Sequence, residues 1–150
     1  MVRKTGEIDV RGDFNAFLRR AERELTSIGL DLEETAVKYL TDRGINVDGT
    51  LQKSIKSLVK KEVGRLRLEF GANTKYALYV HEGTKPHWPP PGPIRTWVRK
   101  KLNPAPEQVK NVTFLVQRKI ARKGTKAKPF LGVAVRAHIN TIAGRIARQV

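Results

Sequence analysis

One stripe of mainly apolar side chains, spaced alternately four and three residues apart, runs through the first third of the chain. Its members are Phe14, Leu18, Ala21, Leu25, Ile28, Leu32, Thr35 and Tyr39. This spacing keeps all of them on one face of an α-helix. We therefore predict a helix of about 30 residues, capped by Asp13 and ended near Arg43-Gly44. Gly29 weakens it by about 1 kcal/mol relative to alanine, and a second helix start at Asp31 is the alternative.

The segment after this helix has the pattern of a β-hairpin. Residues 66–70 alternate cleanly between apolar and charged side chains, and residues 55–63 are rich in β-formers. Gly64-Arg65 between them is a tight-turn sequence. An antiparallel hairpin with one apolar face must bury that face, and we expect it to pack against the long helix. The fold class predicted is α+β: a long N-terminal helix packed on a small antiparallel sheet, with several further helices in the C-terminal half.

The middle of the chain predicts a short helix followed by a stiff loop. Tyr76 to Glu82 do not alternate and favour two helical turns, which Gly83 ends. Five prolines between Thr84 and Pro93 exclude a helix or a central strand and predict an extended, exposed loop. Helices should follow at residues 94–102, from Pro106 to a stop at Gly124, and at the C-terminus. Their expected core faces carry Ile94, Trp97, Val98 and Leu102, then Val109, Val112, Leu115, Val116 and Ile120, then Val135, Ile139, Ile142 and Ile146.

Length and composition predict one soluble cytoplasmic domain. The chain has 150 residues and no cysteine, so disulfides and thiolate metal sites are excluded. It has no apolar run of about 18 residues that could span a membrane, and its N-terminus does not resemble a signal peptide. We expect residues 1–12 to form a flexible N-terminal arm and residues 13–150 to form a single domain, with an exposed proline-rich loop at 84–93.

The positive charge is concentrated in the second half. The chain carries a net charge of +16, of which residues 76–150 contribute +13, with only Glu82 and Glu107 as acids. Such a surface attracts nucleic acid or an acidic protein. The alternative explanation of the charge is that it only keeps the protein soluble. The candidate contacts with nucleic acid or an acidic partner are Arg99, Lys100, Lys101, Arg118, Arg122 and Lys123. Phosphate contact needs only charge, and the sequence contains no recognisable nucleic-acid-binding module.

Catalytic and metal-binding patterns are incomplete. His81-Glu82 begins a zinc-protease motif, but the second histidine should stand at position 85, where the chain has lysine. His87 is six residues from His81 and follows a proline. Neither a serine–histidine–aspartate arrangement nor a phosphate-binding glycine loop is present. We predict no catalytic residue, no metal and no cofactor; a hydrolase built on His81, Glu82 and His87 would instead contain zinc.

An ordered set of motifs resembles a known family. Tyr76-Ala-Leu-Tyr-Val-His-Glu-Gly-Thr84 is similar to the Tyr…Val-Glu-x-Gly-Thr signature of the phage tail-completion, or head–tail joining, proteins of long-tailed phages and prophages. A Trp97-containing helix, Arg118 to Thr125 and Lys128-Pro-Phe-Leu131 follow in the family's order, so the resemblance covers roughly residues 10–145. The histidine at 81 and the prolines after Thr84 depart from many relatives.

The resemblance implies a structural virion-assembly protein without catalysis. Such proteins join the end of the tail tube to the head connector, in a ring of about six copies around the DNA channel, and some are monomers when free. They assemble in the host cytoplasm and end in the virion. The interaction residues implied here are Tyr76, Tyr79, Glu82, Gly83, Thr84, Lys85, His87, Trp88, Lys126, Lys128 and Phe130. A free-standing basic DNA-binding module is the alternative hypothesis.

Overall fold

The computed structural model describes residues 10–45 and 49–148, with side chains from Phe14 onward. Its elements are α1 (Val10–Asp42), α2 (Thr50–Ser54), β1 (Ile55–Glu62), β2 (Arg65–Ala72), α3 (Ala77–Glu82), α4 (Pro91–Trp97), α5 (Val109–Lys123) and α6 (Phe130–Ala147). A π-helical turn (Val98–Leu102) continues α4, and a 3-10 turn (Pro106–Gln108) leads into α5. The predicted α+β class is confirmed.

The predicted long helix is present and begins earlier than expected. It starts at Val10, so Asp13 lies in its first turn rather than at its cap, and it continues through Gly29 and Asp31 without a second start. Most of the predicted N-terminal arm, residues 1–9, lies outside the described residues. The C-terminal stop is as predicted: Gly44 takes φ 63°, and the Ile45 amide donates to the Leu40 carbonyl over 2.9 Å.

The β-hairpin covers one flank of α1. β1 and β2 pair antiparallel from Ile55 opposite Ala72 to Glu62 opposite Arg65, which leaves Val63 and Gly64 as a two-residue turn. Gly64 has φ 74°, a conformation that glycine adopts without strain. Two strands alone are marginal in water, so the hairpin depends on packing its inner face against α1.

A close approach between α1 and β1 explains the glycine in the middle of the helix. A Cβ at Gly29 would lie 2.4 Å from the Ser57 Oγ atom. One helical turn later, a Glu33 carboxylate oxygen accepts hydrogen bonds of 2.6 Å from both the amide and the hydroxyl of Ser57. Gly29 therefore costs helix propensity but allows the strand to reach Glu33.

α6 packs along the other flank of α1, with a face that only partly matches the predicted one. Val135, Ile139 and Ile146 are exposed, whereas Phe130 and Ala134 are fully buried. Ile142 of the predicted face packs against the core, as predicted. The His138 ring also belongs to this contact and lies 2.8 Å from the Thr35 hydroxyl. The hydrophobic pattern of α6 gave no signal for Ala134 and His138, so the predicted face was only partly right.

Arg145 fixes the far end of α6 on α1. Its guanidinium donates to the carboxylates of Asp31 and Glu24 and, over 2.8 Å, to the Ser27 hydroxyl. These hydrogen bonds, first to Asp31 and then to Glu24, raise the pKa of Arg145. A raised pKa means that the arginine's contribution to stability is complete below its ordinary pKa and would be lost only as the pH rises above it. The clamp is therefore insensitive to pH throughout the neutral range.

The described residues contain two separate buried clusters. The larger, here called the core, lies between α1, α2, the hairpin, α3 and α6; its buried members are Ile28, Leu32, Ala36, Leu40, Leu51, Ile55, Ala77, Phe130 and Ala134. The smaller lies within residues 85–123, here called the α4–α5 unit, and consists of Pro89, Val98, Val109, Thr113 and Gln117. The helices of this unit pack mainly against one another.

Within the α4–α5 unit, two predictions about helix bounds and faces need correction. α4 begins at Pro91 rather than after Pro93, because prolines fit the first turn of a helix, where no amide partner is required. Trp97 and Leu115 were predicted to be core residues, yet they are 36% and 57% exposed. The buried line of α5 runs instead through Val109, Thr113 and Gln117, spaced by four residues.

Candidate interaction surface

Two Gly-Thr dipeptides, forty-one residues apart, pair at the base of the α4–α5 unit. Gly83 follows the last residue of α3, and Gly124 follows the last residue of α5. The next residues, Thr84 and Thr125, form an antiparallel bridge with amide-to-carbonyl distances of 3.1 and 3.0 Å. Their hydroxyl oxygens lie 3.0 Å apart. The chain therefore enters and leaves the unit at one point.

Both glycines are required by this bridge. Gly83 and Gly124 have φ values of 74° and 65°, in the region that side-chain-bearing residues rarely adopt. A Cβ at Gly124 would lie 1.9 Å from the Thr84 carbonyl oxygen, and one at Gly83 would lie 2.4 Å from the Thr125 carbonyl oxygen. Each glycine thus accommodates the backbone of the opposite dipeptide. The sequence predicted both as helix stops, but nothing in it indicated that they pair.

The segment after the bridge returns the chain to the core. The Lys128 amide donates to the Val80 carbonyl of α3 over 2.9 Å, two residues before Phe130 enters the core. The His81 ring meets the Phe130 ring edge-on, with 5.4 Å between the centroids, and its Nε2 atom is buried without a hydrogen-bond partner. Residues 126–130 and α3 therefore form one joint between the core and the α4–α5 unit.

The proline-rich loop is docked at its centre. Residues 85–88 are exposed, but Pro89 is buried, and its carbonyl accepts a 2.8 Å hydrogen bond from the buried Gln117 side chain. Trp88 packs beside Phe114 of α5, with ring centroids 5.7 Å apart. His87 Nδ1 lies 2.9 Å from the Lys85 carbonyl oxygen. The loop is thus held against α5, while Trp88 remains 54% exposed.

The predicted interaction residues fall into three groups. Seven have exposed side chains: Tyr76, Tyr79, Glu82, Lys85, His87, Trp88 and Lys126. Three are half-buried around the bridge and joint: Gly83, Thr84 and Lys128. Phe130 is fully buried, so it packs the core instead of facing a partner. A phenylalanine after a basic connector resembles a contact residue in sequence, and only its burial distinguishes the two roles.

The predicted cationic residues all lie on the α4–α5 unit. Arg99, Lys100 and Lys101 are exposed on the π-helical turn, and Arg118, Arg122 and Lys123 are exposed on α5. The unit as a whole contains ten Lys/Arg and one acid, Glu107, a net charge of +9. The charge asymmetry seen in the sequence is therefore a property of this unit in three dimensions.

Exposed apolar side chains accompany these cations, and the sequence reading missed most of them. Phe114 and Leu115 are 51% and 57% exposed on α5, and Leu102 is 49% exposed. Apolar residues on α5 at 114 and 115 lie beside the 109–112–116–120 stripe, so the helix is apolar on more than one face. A second apolar face on one helix indicates a binding surface, and this pattern could have been recognised in the sequence.

The described residues contain neither a metal-binding cluster nor a membrane-spanning helix. Among residues 10–45 and 49–148, no three histidine, aspartate or glutamate side chains approach closely enough to hold a metal ion. In the same part of the chain, no helix is both long enough and apolar enough to cross a bilayer.

A comparison with protein families supports the resemblance. Residues 12–83 match the model of the HK97-gp10-like family, described as "Bacteriophage HK97-gp10, putative tail-component". The match covers α1 from residue 12, α2, the hairpin and α3, and it stops at Gly83, two residues before the α4–α5 unit. No significant match was found among curated proteins or among solved structures. The family match confirms the resemblance over residues 12–83, and the motifs that follow Gly83 lie outside it.

Proposed function

We propose that this protein is a non-catalytic structural component of a phage or prophage tail, and that it joins the end of the tail tube to the head connector. The observation that carries the proposal is the family match over residues 12–83. A tail component contacts other virion proteins. The joining role adds specific neighbours: the tail-tube terminus, the head connector and identical copies in a ring.

The shape of the candidate surface supports this role. A joining protein needs a firm body and a contact element held in a fixed direction, because ordering a loose element on binding costs free energy. Here the core supplies the body, and the Thr84–Thr125 bridge holds the α4–α5 unit at one point. The exposed Trp88 and Tyr79 are of the residue types that dominate contact energies at protein interfaces.

The proposal is tested in virion assembly. A phage or prophage lacking this gene is complemented with the wild type, with a Tyr79→Ser/Trp88→Ser variant, or with a Leu58→Ser variant as control. Leu58 is 57% exposed on β1, far in sequence from the bridge, and Tyr79 and Trp88 are 61% and 54% exposed. Point variants are preferable to a loop deletion, because Pro89 and Pro91 are part of the folded α4–α5 unit.

We expect the Tyr79→Ser/Trp88→Ser variant to give complete tails and filled heads that remain separate in electron micrographs, with infectious titre reduced about 100-fold or more, since two interface anchors are lost. The Leu58→Ser control should assemble normally. Normal joined particles from the double variant would refute the joining role, and shortened or absent tails would move the function to an earlier step of tail assembly.

A second candidate function is non-specific DNA binding, favoured by the net charge of +9 on residues 85–123. Its signature is an affinity of the isolated protein for duplex DNA that falls steeply between about 50 and 200 mM salt. A weak affinity at the lower salt concentration would eliminate this candidate.

A further inference from the structure

Five large apolar side chains are exposed on the α4–α5 unit, which is only 39 residues long. Trp88, Trp97, Leu102, Phe114 and Leu115 are 54%, 36%, 49%, 51% and 57% exposed. Single exposed apolar residues are ordinary, but Trp88, Phe114 and Leu115 lie together at α5, and a contiguous exposed apolar patch indicates a surface that another molecule covers.

The exposed face of α5 changes from apolar to cationic side chains along the helix. Phe114, Arg118 and Arg122 are spaced by four residues and form one row, and Leu115 and Lys119 form the neighbouring row. Trp88 widens the apolar end through its contact with Phe114. We call these six residues the α5 face. Its end near the start of α5 is apolar, and its end near the bridge is cationic.

A second α4–α5 unit is a poor occupant for this face. Pairing two copies through it would bring together two surfaces of net charge +9 each. Like charges in direct opposition are destabilising across an interface, and the α4–α5 unit has only Glu107 to offset them.

DNA is also a poor fit for the whole face. Phosphates would satisfy Arg118, Lys119 and Arg122, but a duplex backbone offers nothing that buries Phe114 and Leu115. Unpaired bases can stack on aromatic rings. However, the Trp88 and Phe114 rings are packed against each other at an interplanar angle of 57°, which leaves less ring surface free for a base.

We propose that the α5 face binds an acidic surface of another protein, on which apolar side chains lie at one end and carboxylates at the other. The apolar end would meet Trp88, Phe114 and Leu115, and the carboxylates would pair with Arg118, Lys119 and Arg122. This proposal rests on the proposed function for the setting in which the partner is met, since it names the chemistry of a neighbour in the virion. Opposite charge steers the encounter and fixes the register, while the apolar contacts supply most of the affinity.

The test uses the full chain and three fluorescent probes. The first is a helical peptide of about 20 residues, roughly 30 Å long, with leucines in one half and glutamates in the other half of the same face. The second has the same composition with the two residue types intermixed. The third is a mixed-sequence DNA duplex of about 20 base pairs, whose backbone supplies charge alone. Binding is followed by fluorescence anisotropy at low and moderate salt.

We expect the block peptide to bind about tenfold more tightly than the intermixed peptide and more tightly than the duplex, because only the block arrangement satisfies both ends of the face. Leu115→Ser and Arg118→Glu should each weaken block-peptide binding about fivefold. The matched controls are Leu58→Ser, which removes an apolar side chain of the same 57% exposure, and Arg20→Glu, which makes the same charge change on α1. Neither control should change the affinity beyond experimental error.

Several results would overturn the proposal. Equal affinity for the two peptides would reduce the face to a source of positive charge. Tighter binding of the duplex, lost in Arg118→Glu but kept in Leu115→Ser, would assign the face to DNA. Self-association of the free protein that Leu115→Ser abolishes would assign it to a second copy. Each result can arise whether or not the Tyr79→Ser/Trp88→Ser variant fails to join heads and tails, so this proposal and the proposed function fail separately.

Discussion

The core and the α4–α5 unit differ in the chemistry of the residues that they bury. The nine buried residues of the core cluster are all apolar, and they come from α1, α2, β1, α3 and α6. The cluster inside the α4–α5 unit contains two polar residues, Thr113 and Gln117, while Trp88, Phe114 and Leu115 remain exposed. The core is held by apolar packing, whereas a buried polar contact between Gln117 and Pro89 helps to hold the loop of the α4–α5 unit.

This difference can be measured, because both tryptophans of the chain, Trp88 and Trp97, lie in the α4–α5 unit. Tryptophan fluorescence therefore reports on that unit, and far-ultraviolet circular dichroism is dominated by the long helices of the core. If the two regions unfold together, the two signals change at the same denaturant concentration. Variants that weaken one region selectively should separate the two transitions.

The largest effect is expected from Gly124→Ala. The new methyl group would lie 1.9 Å from the Thr84 carbonyl oxygen at φ 65°, so the bridge must open or distort. We expect the free energy of unfolding measured by fluorescence to fall by about 3 kcal/mol. The value measured by circular dichroism should change less. Gly144→Ala on α6 is the control, because its Cβ meets nothing within 4 Å and should stabilise the helix by about 1 kcal/mol. An unchanged fluorescence transition in Gly124→Ala would show that the bridge does not hold the unit.

Gly29→Ala should affect the core by a smaller amount. Alanine favours a helix by about 1 kcal/mol over glycine, yet its Cβ would lie 2.4 Å from the Ser57 Oγ atom. We expect a net loss of about 2 kcal/mol in the circular dichroism transition. In a Ser57→Gly background the obstructing side chain is gone, and most of this cost should disappear. A stabilised Gly29→Ala single variant would mean that α1 and β1 do not approach so closely.

The smallest effect is expected from Gln117→Leu, which keeps the size of the side chain but removes the hydrogen bond to the Pro89 carbonyl. Leaving that buried carbonyl unpaired should cost about 1 kcal/mol in the fluorescence transition and shift Trp88 emission to longer wavelength. Asn111→Leu, on the exposed side of α5, is the matched control and should stay within about 0.5 kcal/mol. Identical spectra for the two variants would indicate that the loop is held by its prolines alone.

The local parts of the fold were predictable from sequence because their causes are local. The stripe of α1, the alternation of β2 and the stops at Gly44, Gly83 and Gly124 each depend on residues within a few positions of one another. The faces of α5 and α6 were not predictable in this way. Each of these helices is apolar on more than one side, and which side is buried depends on the partner helix. The contacts of Arg145 and His138 could not be predicted from the sequence, because their partners lie more than 100 positions earlier.

The candidate surface was predictable in part of its membership but not in its arrangement. Trp88 and Tyr79 were implied by the family resemblance and the cations of residues 99–123 were identified from charge, and all of them are exposed. The pairing of Gly83-Thr84 with Gly124-Thr125 requires knowledge of a contact between distant segments, which one sequence does not contain. Leu115 was assigned to the core for the same reason: its neighbours in space were unknown.

Because Thr84 and Thr125 are hydrogen-bonded to each other, the forty residues between them begin and end at the same place. An element attached in this way can be lengthened, shortened or exchanged without moving the points where it joins the rest of the chain. The closure entropy of such an insert grows only slowly with its length. The α4–α5 unit can therefore change in length or surface while the scaffold that carries it stays the same.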